Sequence, residues 1–227
     1  EFLSKKKITE LPLQGRRVLI NAGPTVEPID PVRFISNYSS GRMGIALADE
    51  AARLGAEVTL VLGPVSLRPF NRAVVTVPVK TAAEMKDASL EAFRDCDIAI
   101  LAAAVADFTP EKTHPAKVKR GGSDMVIRLK PTEDIAASLG KIKKKGQFLA
   151  GFALETDNEV ENAQGKLQRK NLDIIILNSL KDDGAGFGHD TNRITIIDSN
   201  NNIDKFELKS KDEVALDILM KIISLTR

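Results

Sequence analysis

The sequence predicts an α/β fold with a doubly wound, mainly parallel sheet and helices on both of its faces. Apolar, β-branched runs alternate with amphipathic stretches along most of the 227 residues, and that order builds parallel sheets with right-handed crossovers. The run DIAILAAAVAD at 97–107 is apolar throughout its first half, as expected of a strand buried on both faces. Because ligands on such sheets lie beyond the carboxyl ends of the strands, the loops there are the candidates for function.

The individual elements follow from local patterns. Strands are predicted at 16–23, 57–63, 73–79, 97–107, 125–131, 147–153 and 172–178, with a hairpin at 192–198 and 203–209. Helices are predicted at 43–55, 81–93, 132–145, 158–171 and 210–227. Thr81 and Glu84 suggest a capping box, Gly55 a C-terminal cap, and Pro78 an edge strand. The polar stretch 1–15 is expected to be a linker or a cloning remnant, which leaves 16–227 as the functional domain.

Composition excludes several classes of protein. The formal net charge is +2, and the aromatic residues are nine Phe and one Tyr, with no Trp. The chain therefore has neither the basic excess nor the set of aromatic side chains for base stacking that would favour nucleic acid as a partner. The single cysteine, Cys96, allows no disulfide framework and fits a small buried residue in a reducing cytoplasm. No apolar run approaches the length of a membrane span, and no signal peptide is present.

The first candidate for chemistry is the long polar loop NAGPTVEPIDPVRFISNYSSGRMG at 21–44. Asn37 can hydrogen-bond a reacting carbonyl without changing its own protonation, and Arg33 can pair with a carboxylate or a phosphate. The start of the following helix offers free N–H groups to a phosphate, next to Ser39, Ser40 and Gly41. The alternative is a capped helix with Arg33 on the surface, but the length and polarity of the loop favour function.

The second candidate is the segment after the buried strand. Asp107 is placed to grip a ribose hydroxyl or a Mg²⁺ ion. The flap, defined as residues 108–124, carries Lys117, Lys119 and Arg120 and has too little apolar content to pack tightly. Such a segment can close over a polyphosphate and neutralise it. For Lys119 and Arg120 taken alone, a solvated charged loop is the preferred interpretation.

The third candidate lies further along the chain. Phe152 at a strand end can pack on a base or ribose, or belong to the core. Lys166 and Lys170 share one helical face, which more often faces solvent than a ligand. Neither a dinucleotide fingerprint nor a P-loop is present, and Tyr38 and Arg42 lack the lysine of a short-chain reductase. The residues alone therefore favour a nucleotide- or phosphate-handling protein.

Five motifs then point to one family. They are AGPTVEPIDPVRFISNYSSGRMG, AAAVADF, PAKVKR, GFALET and RKNLDIIILN, and in this order they resemble the phosphopantothenoylcysteine synthetase (phosphopantothenate–cysteine ligase) domain of the bacterial bifunctional coenzyme A biosynthesis protein. The resemblance runs from about Gly15 to the end. It implies a Rossmann-like sheet with a protruding flap and dimerisation segment, a homodimer, and an upstream flavin-dependent decarboxylase half.

The resemblance also implies a reaction in two steps. The carboxylate of 4′-phosphopantothenate attacks the α-phosphate of CTP, with Mg²⁺ as cofactor, and pyrophosphate leaves an acyl-cytidylate. The amine of L-cysteine then attacks the activated carbonyl, giving 4′-phosphopantothenoyl-L-cysteine and CMP. By resemblance Asn37 handles the acyl-cytidylate, with Arg33 beside it, and Lys117 reaches the triphosphate.

Further positions are carried over from the same family. The substrate-binding positions implied are Arg33, Asn37, Ser40 and Gly41. The nucleotide-binding positions implied are Ser39, Ala103, Asp107, Lys117, Glu133, Asp134, Ile135, Ala136, Phe152, Lys166 and Lys170, of which Asp107 is also the metal position. In the base-reading stretch this chain has PTEDIA where the family pattern has an Asn-Pro-Asp-Ile run.

Two other classes of function remain as alternatives. An NADP-dependent Rossmann-type reductase is disfavoured by the missing glycine fingerprint, and a non-catalytic nucleotide-binding module would show no turnover. The residues by themselves leave open the choice between CTP and ATP, the order of substrate binding, any assembly beyond a dimer, and the presence of the upstream half.

Overall fold

The computed structural model describes residues 10–121, 124–155, 157–179 and 190–226. Its strands are β1 (Arg17–Ala22), β2 (Val26–Pro28), β3 (Phe34–Ser36), β4 (Glu57–Leu62), β5 (Val75–Pro78), β6 (Ile98–Leu101), β7 (Phe108–Pro110), β8 (Leu129–Pro131), β9 (Phe148–Glu155), β10 (Ile174–Ser179), β11 (Thr191–Asn192), β12 (Ile194–Asp198), β13 (Ile203–Lys205) and β14 (Lys209–Ser210). Its helices are α1 (Arg42–Arg53), α2 (Ala82–Phe93), α3 (Ile135–Ile142), α4 (Glu159–Arg169) and α5 (Lys211–Leu225).

An eight-stranded sheet forms the centre, in the order β13-β12-β10-β9-β6-β1-β4-β5. The strands from β10 to β5 are all parallel, whereas β12 runs antiparallel to β10 and β13 antiparallel to β12. The predicted doubly wound α/β fold is therefore confirmed. So are the hairpin near the C-terminus and the edge position of β5, which contains Pro78.

Two layers of apolar side chains hold the helices on the sheet. On one face Leu47 of α1 and Ile218 of α5 pack with Ile20 of β1. On the other face Met85 of α2 and Leu19 of β1 belong to a second cluster, to which α3 and α4 also contribute. Successive residues of β1 thus point into opposite layers, and burial of each such aliphatic side chain contributes about 1.5–3 kcal/mol.

Some boundaries differ from the prediction. The predicted strand 97–107 ends at Leu101 in β6, because the next backbone N–H groups donate to Asn21: Ala102 to its main-chain oxygen and Ala103 to its side chain. The predicted strand 125–131 shrinks to β8, which pairs with β7 as a ribbon outside the main sheet. The loop 22–42 contains an unforeseen hairpin of β2 and β3.

The capping box predicted at the start of α2 is only half formed. Thr81 accepts from the N–H of Glu84 at 3.2 Å, but the Glu84 carboxylate accepts from Lys80 instead of Thr81. The reciprocal bonds of a capping box occur at α5, between Ser210 and Glu213.

The predicted linker 1–15 is described only from residue 10. Its Leu13 is 2% exposed and lies in the core, and the Leu13 N–H donates to the Leu54 oxygen at 2.9 Å. The longest helix, α5, has 15 residues. No helix in the described ranges combines the length and apolar character that crossing a membrane requires.

Candidate active site

Two adjoining cavities open at the carboxyl ends of the central strands, where this fold class binds ligands. The α1 cavity, of about 480 Å³, is bounded by residues 37–44 at the start of α1. The α3 cavity, of about 320 Å³, is bounded by residues 132–136 at the start of α3. The two cavities share the lining residues Ala103, Val105, Asp107, Phe152 and Lys166. One elongated ligand can therefore occupy both.

The N-terminus of α1 faces the α1 cavity, as predicted. Gly41 is the N-cap residue with φ of 73°, a left-handed conformation that glycine adopts without strain. The hydroxyls of Ser39 and Ser40 lie 3.3 and 3.4 Å from the N–H groups of Gly41 and Arg42. The N–H groups of the first helical turn and the positive end of the helix dipole suit an anion here.

Gly44 brings α1 close to the sheet. A Cβ atom at this position would stand 2.4 Å from the Cβ of Ala22 in β1, far inside van der Waals contact. The absence of a side chain at Gly44 therefore sets how closely the helix start approaches the strand end.

Asn37 also lines the α1 cavity. Its Nδ2 donates to the main-chain oxygen of Val105 at 2.9 Å and to that of Ala104 at 3.3 Å. These bonds fix the amide between the segment before α1 and the loop after β6. Asn37 thus stands beside the predicted phosphate-binding turn, in an orientation set by the backbone.

The α3 cavity is bounded by the predicted base-reading stretch, Glu133, Asp134, Ile135 and Ala136. Asp134 caps α3 by accepting from Ala137 at 3.0 Å, and its other oxygen lies 2.9 Å from Nζ of Lys170. Burial raises the pKa of Asp134, but the bonds from Ala137 and Lys170 outweigh it and leave that pKa lowered. The carboxylate is therefore ionised at neutral pH.

The two lysines of α4 face the cavities. Lys170 lines the α3 cavity and Lys166 lines both. The side chains of Lys170 and Lys166 are 26% and 36% exposed, so neither points fully into solvent, and their contact with a nucleotide stays a prediction. Nζ of Lys166 lies 2.6 Å from Oε1 of Glu155, an ion pair by distance although it lacks aligned hydrogen-bond geometry.

Phe152 lies at the boundary between the cavities and the core, and its contact with a base or ribose stays a prediction. It lines the two cavities and also packs, partly buried, against the core under α1 and α5. Its ring therefore forms an apolar part of the wall of both cavities.

Asp107 is exposed and lines both cavities. Among the residues that the structure describes, no three His, Cys, Asp or Glu side chains form a metal-binding group. One carboxylate completed by phosphate oxygens and water is, however, a common environment for Mg²⁺. The residues present therefore fit a nucleotide-bound magnesium ion with Asp107 as the protein ligand.

Arg33 and Lys117 are not brought into these cavities. Arg33 lines a third cavity of about 980 Å³, the hairpin groove, between the β2–β3 hairpin and the ends of β4 and β5. Its Nε donates to Asp30 at 3.0 Å. Lys117 is exposed on the flap and lines neither the α1 nor the α3 cavity.

Sequence reasoning missed the far end of the α1 cavity. There Lys211, Arg42, Asn178 and Asn192 line the wall, and Arg42 forms an ion pair with Asp190. Lys211 is 7% exposed, and burial together with the charge of Arg42 lowers its pKa. Asn178 lies near the carboxyl end of the core strand β10 and could have been found by the strand-end rule. Lys211 begins an amphipathic helix, and nothing in the sequence marks it as part of a site.

Comparison with known proteins identifies the family. Residues 13–225 match the family model described as the DNA/pantothenate metabolism flavoprotein C-terminal domain. The chain belongs to this family. The family predicted from the five motifs is thereby confirmed.

Individual relatives agree with this assignment. A cysteine/cysteine sulfinic acid decarboxylase from an unknown prokaryotic organism is 74% identical over 224 residues, which cover 99% of this chain and 62% of that protein. The coenzyme A biosynthesis bifunctional protein CoaBC of Bacillus subtilis (strain 168) is 46% identical over 219 residues, covering 96% of this chain and 54% of that protein. The chain thus spans between about half and three-fifths of the length of these relatives.

A solved structure confirms the fold at the level of the whole domain. The crystal structure of the C-terminal domain of a CoaBC protein has a TM-score of 0.81 and 41% sequence identity. The match covers 95% of this chain and 97% of that one.

Proposed function

We propose that the chain is an acid–amino-acid ligase that activates 4′-phosphopantothenate with CTP and joins it to L-cysteine. The observation that carries the proposal is the meeting of three features in the α1 cavity: the start of α1, the amide of Asn37, and the continuation into the α3 cavity. The similarity to CoaBC proteins over nearly the whole chain supports it.

In the first step the substrate carboxylate attacks the α-phosphate and pyrophosphate leaves. Joining a carboxylate to an amine is uphill in water, so the carboxyl group must first be activated. Such a transfer depends mainly on positioning and charge stabilisation. The start of α1 with Ser39, together with Lys166 and Lys211, would hold the phosphates. The base would lie in the α3 cavity against Phe152 and the 133–136 backbone.

Magnesium would be held by Asp107 and the nucleotide itself. When bound, it supplies further neutralisation of the phosphate charge. The fixed lysines of α4, already ion-paired to Glu155 and Asp134, orient the rest of the nucleotide.

In the second step the amine nitrogen of L-cysteine forms a bond to the acyl carbon, and CMP leaves with the bonding electrons while the nitrogen loses a proton. The developing negative charge on the carbonyl oxygen needs a neutral hydrogen-bonding environment. The Ser40 hydroxyl would donate to that oxygen. Asn37, whose Nδ2 already donates to the main-chain oxygens of Ala104 and Val105, would accept from the attacking amine through its Oδ1 and so orient the amine towards the acyl carbon.

We further propose that the active form is a cytoplasmic homodimer. Arg33 and Lys117 lie outside the α1 cavity of their own chain. If the flap of one subunit closes over the cavity of its partner together with Arg33, which donates to the main-chain oxygen of Val118 in the flap, both residues gain the roles that the family resemblance assigns them. An upstream decarboxylase half would occupy the part of the longer relatives that this chain does not span.

A second candidate comes from the relative named as a cysteine/cysteine sulfinic acid decarboxylase. That activity is named for a protein of which this chain spans 62%. Decarboxylation of an amino acid requires an electron sink, usually an organic cofactor, whereas the cavities here combine an anion site with lysines. The ligase is therefore the leading proposal, and release of CO₂ from L-cysteine tests the other.

The deciding experiment measures pyrophosphate release from CTP with 4′-phosphopantothenate, with and without L-cysteine, and with ATP in parallel. CTP-dependent release is expected. Release with ATP alone would support the same reaction but with ATP, not CTP, as the nucleotide. Binding of CTP without turnover would indicate a nucleotide-binding module, and oxidation of NADPH would indicate a reductase.

A further inference from the structure

A single buried carboxylate joins the flap to the β2–β3 hairpin. The side chain of Asp30 has 0% exposure. Its Oδ1 accepts from the N–H groups of Val32 at 2.8 Å and Arg33 at 2.9 Å. These two bonds shape the hairpin loop and direct the other oxygen towards the flap.

The second oxygen of Asp30 meets both Arg33 and the flap. Oδ2 accepts from Nε of Arg33 at 3.0 Å and from the N–H of Val118 at 3.2 Å, and Nη2 of Arg33 also donates to it. Nη2 of Arg33 in turn donates to the main-chain oxygen of Val118 at 3.0 Å. Both backbone polar groups of Val118 are therefore satisfied by one ion pair.

Val118 differs from its neighbours in the flap because it is partly buried. Within the described part beyond β7, residues 111–121, it is the one residue that is not exposed. Its neighbour Lys117 is exposed. The Asp30–Arg33 pair therefore fixes the backbone at Val118, the residue after Lys117. It thereby sets the direction in which the Lys117 side chain leaves the protein surface.

We propose that Asp30 is a positioning residue, which holds the Arg33 guanidinium and seats the flap at Val118 so that Lys117 is presented for the reaction. The catalytic part of this inference rests on the proposed function. The anchoring part rests on geometry alone and holds whatever the flap acts on.

The chemistry of the anchor requires a carboxylate. The bond to Arg33, aided by three backbone N–H groups, holds the pKa of Asp30 well below its usual range, so the group is charged at neutral pH. In Asp30→Asn the new amide donors would face the guanidinium and the N–H of Val118. Two other hydrogen bonds between the flap and the hairpin would remain, from the N–H of His114 to the Ile29 oxygen and from the Thr113 hydroxyl to the Pro28 oxygen. Only the part of the flap around Val118 is therefore expected to detach.

The first test is limited tryptic digestion of Asp30→Asn. Cleavage after Lys117, Lys119 or Arg120 is expected to accelerate roughly tenfold, since proteolysis follows the population of the locally open form. The matched control is Asp49→Asn, because Asp49 likewise accepts from two loop N–H groups, of Phe70 at 3.1 Å and Asn71 at 2.8 Å. Flap cleavage that is unchanged in Asp30→Asn, or equally fast in the control, overturns the proposal.

The second test separates positioning from general stability. If Asp30 acts through Lys117, the double variant Asp30→Asn/Lys117→Gln should release pyrophosphate as slowly as Lys117→Gln alone. Fully multiplicative losses overturn the link to Lys117. If the wild type itself has no ligase activity, the proposed function fails, while the digestion result still decides whether Asp30 anchors the flap.

Discussion

The side-chain amide of Asn37 donates to the main-chain oxygen of Val105 at 2.9 Å, across 68 positions of the sequence. The bond joins the segment before α1 to the loop after β6, and both residues line the α1 cavity. The position of the amide is therefore set by the backbone that follows two different strands, β3 and β6. This rigidity is what a residue that contacts a reacting carbonyl requires.

Asn37→Asp should separate the two proposed steps. The variant would place a carboxylate oxygen against the carbonyl oxygens of Val105 and Ala104 and bring negative charge towards the acyl group. We expect amide formation to fall about 10²–10³-fold, the scale of losing one positioned hydrogen-bonding group at the transition state, with a much smaller fall in pyrophosphate release. Quenched-flow measurement of both products checks this.

Asn162→Asp is the matched control for that variant. The Asn162 amide makes a similar bond, to the Asp157 oxygen at 2.8 Å, on the surface of α4 and away from the cavity lining. It should leave both products unchanged. An equal loss of both products in Asn37→Asp would remove Asn37 from its proposed role.

Lys117→Gln should slow the first step. A lysine that neutralises the leaving pyrophosphate acts before cysteine is needed, so we expect pyrophosphate release without cysteine to fall about 10–100-fold. Lys119→Gln changes the same charge two residues away on the exposed flap and should have little effect. Unchanged release in Lys117→Gln, or an equal loss in the control, would contradict the assignment.

The parts of the molecule that were predictable share a strong local signal. Strands buried on both faces, such as β6, are continuously apolar, and the strand-end rule then located Asn37 and Asp107 at one edge. These residues do line the two cavities. Periodicity and fold class therefore sufficed to predict the sheet and the edge of it at which the two cavities open, while the roles of the lining residues stay predictions.

What was missed depends on contacts distant in sequence. The β2–β3 hairpin has no alternating pattern, because Glu27 in it is buried and accepts from the N–H of Ala82 at the start of α2. Arg33 resembles a free cation in the sequence, but Asp30 engages it. Lys211 became visible only when α5 brought it beside α1.

Lys211→Met should weaken nucleotide binding. Lys211 is a buried cation at the wall of the α1 cavity, so its removal is expected to raise the KM for CTP about tenfold, the scale of one charge-assisted hydrogen bond. Lys145→Met, an exposed lysine beyond α3, is the control. An unchanged KM in Lys211→Met, with the fold intact by thermal melting, would contradict the role.

The same residue predicts a pH dependence. Burial and Arg42 lower the pKa of Lys211, so it loses its charge at a lower pH than an ordinary lysine. The wild-type KM for CTP should therefore rise as pH increases through that lowered pKa, and Lys211→Met should lack this rise. Parallel pH profiles for the two proteins would mean that another group is responsible.

Two glycine substitutions should change stability in opposite directions. Gly44→Ala would bring a Cβ atom to 2.4 Å from the Cβ and 3.2 Å from the Cα of Ala22, so α1 must shift and we expect a loss of about 1–3 kcal/mol. In Gly165→Ala the nearest atom is Nη1 of Arg169 at 2.9 Å, the end of a flexible side chain. Because that side chain can move, the higher helix propensity of alanine should dominate, with a gain of about 0.5–1 kcal/mol.

Denaturant unfolding of the two variants checks these values, and activity distinguishes them further. The start of α1 is the proposed phosphate site, so Gly44→Ala should also raise the KM for CTP under conditions where it is fully folded. Gly165→Ala lies inside α4 and should leave the KM unchanged, since Lys166 keeps its place on the helix. A destabilised Gly44→Ala protein with a normal KM would show that the close approach of α1 to β1 serves packing alone.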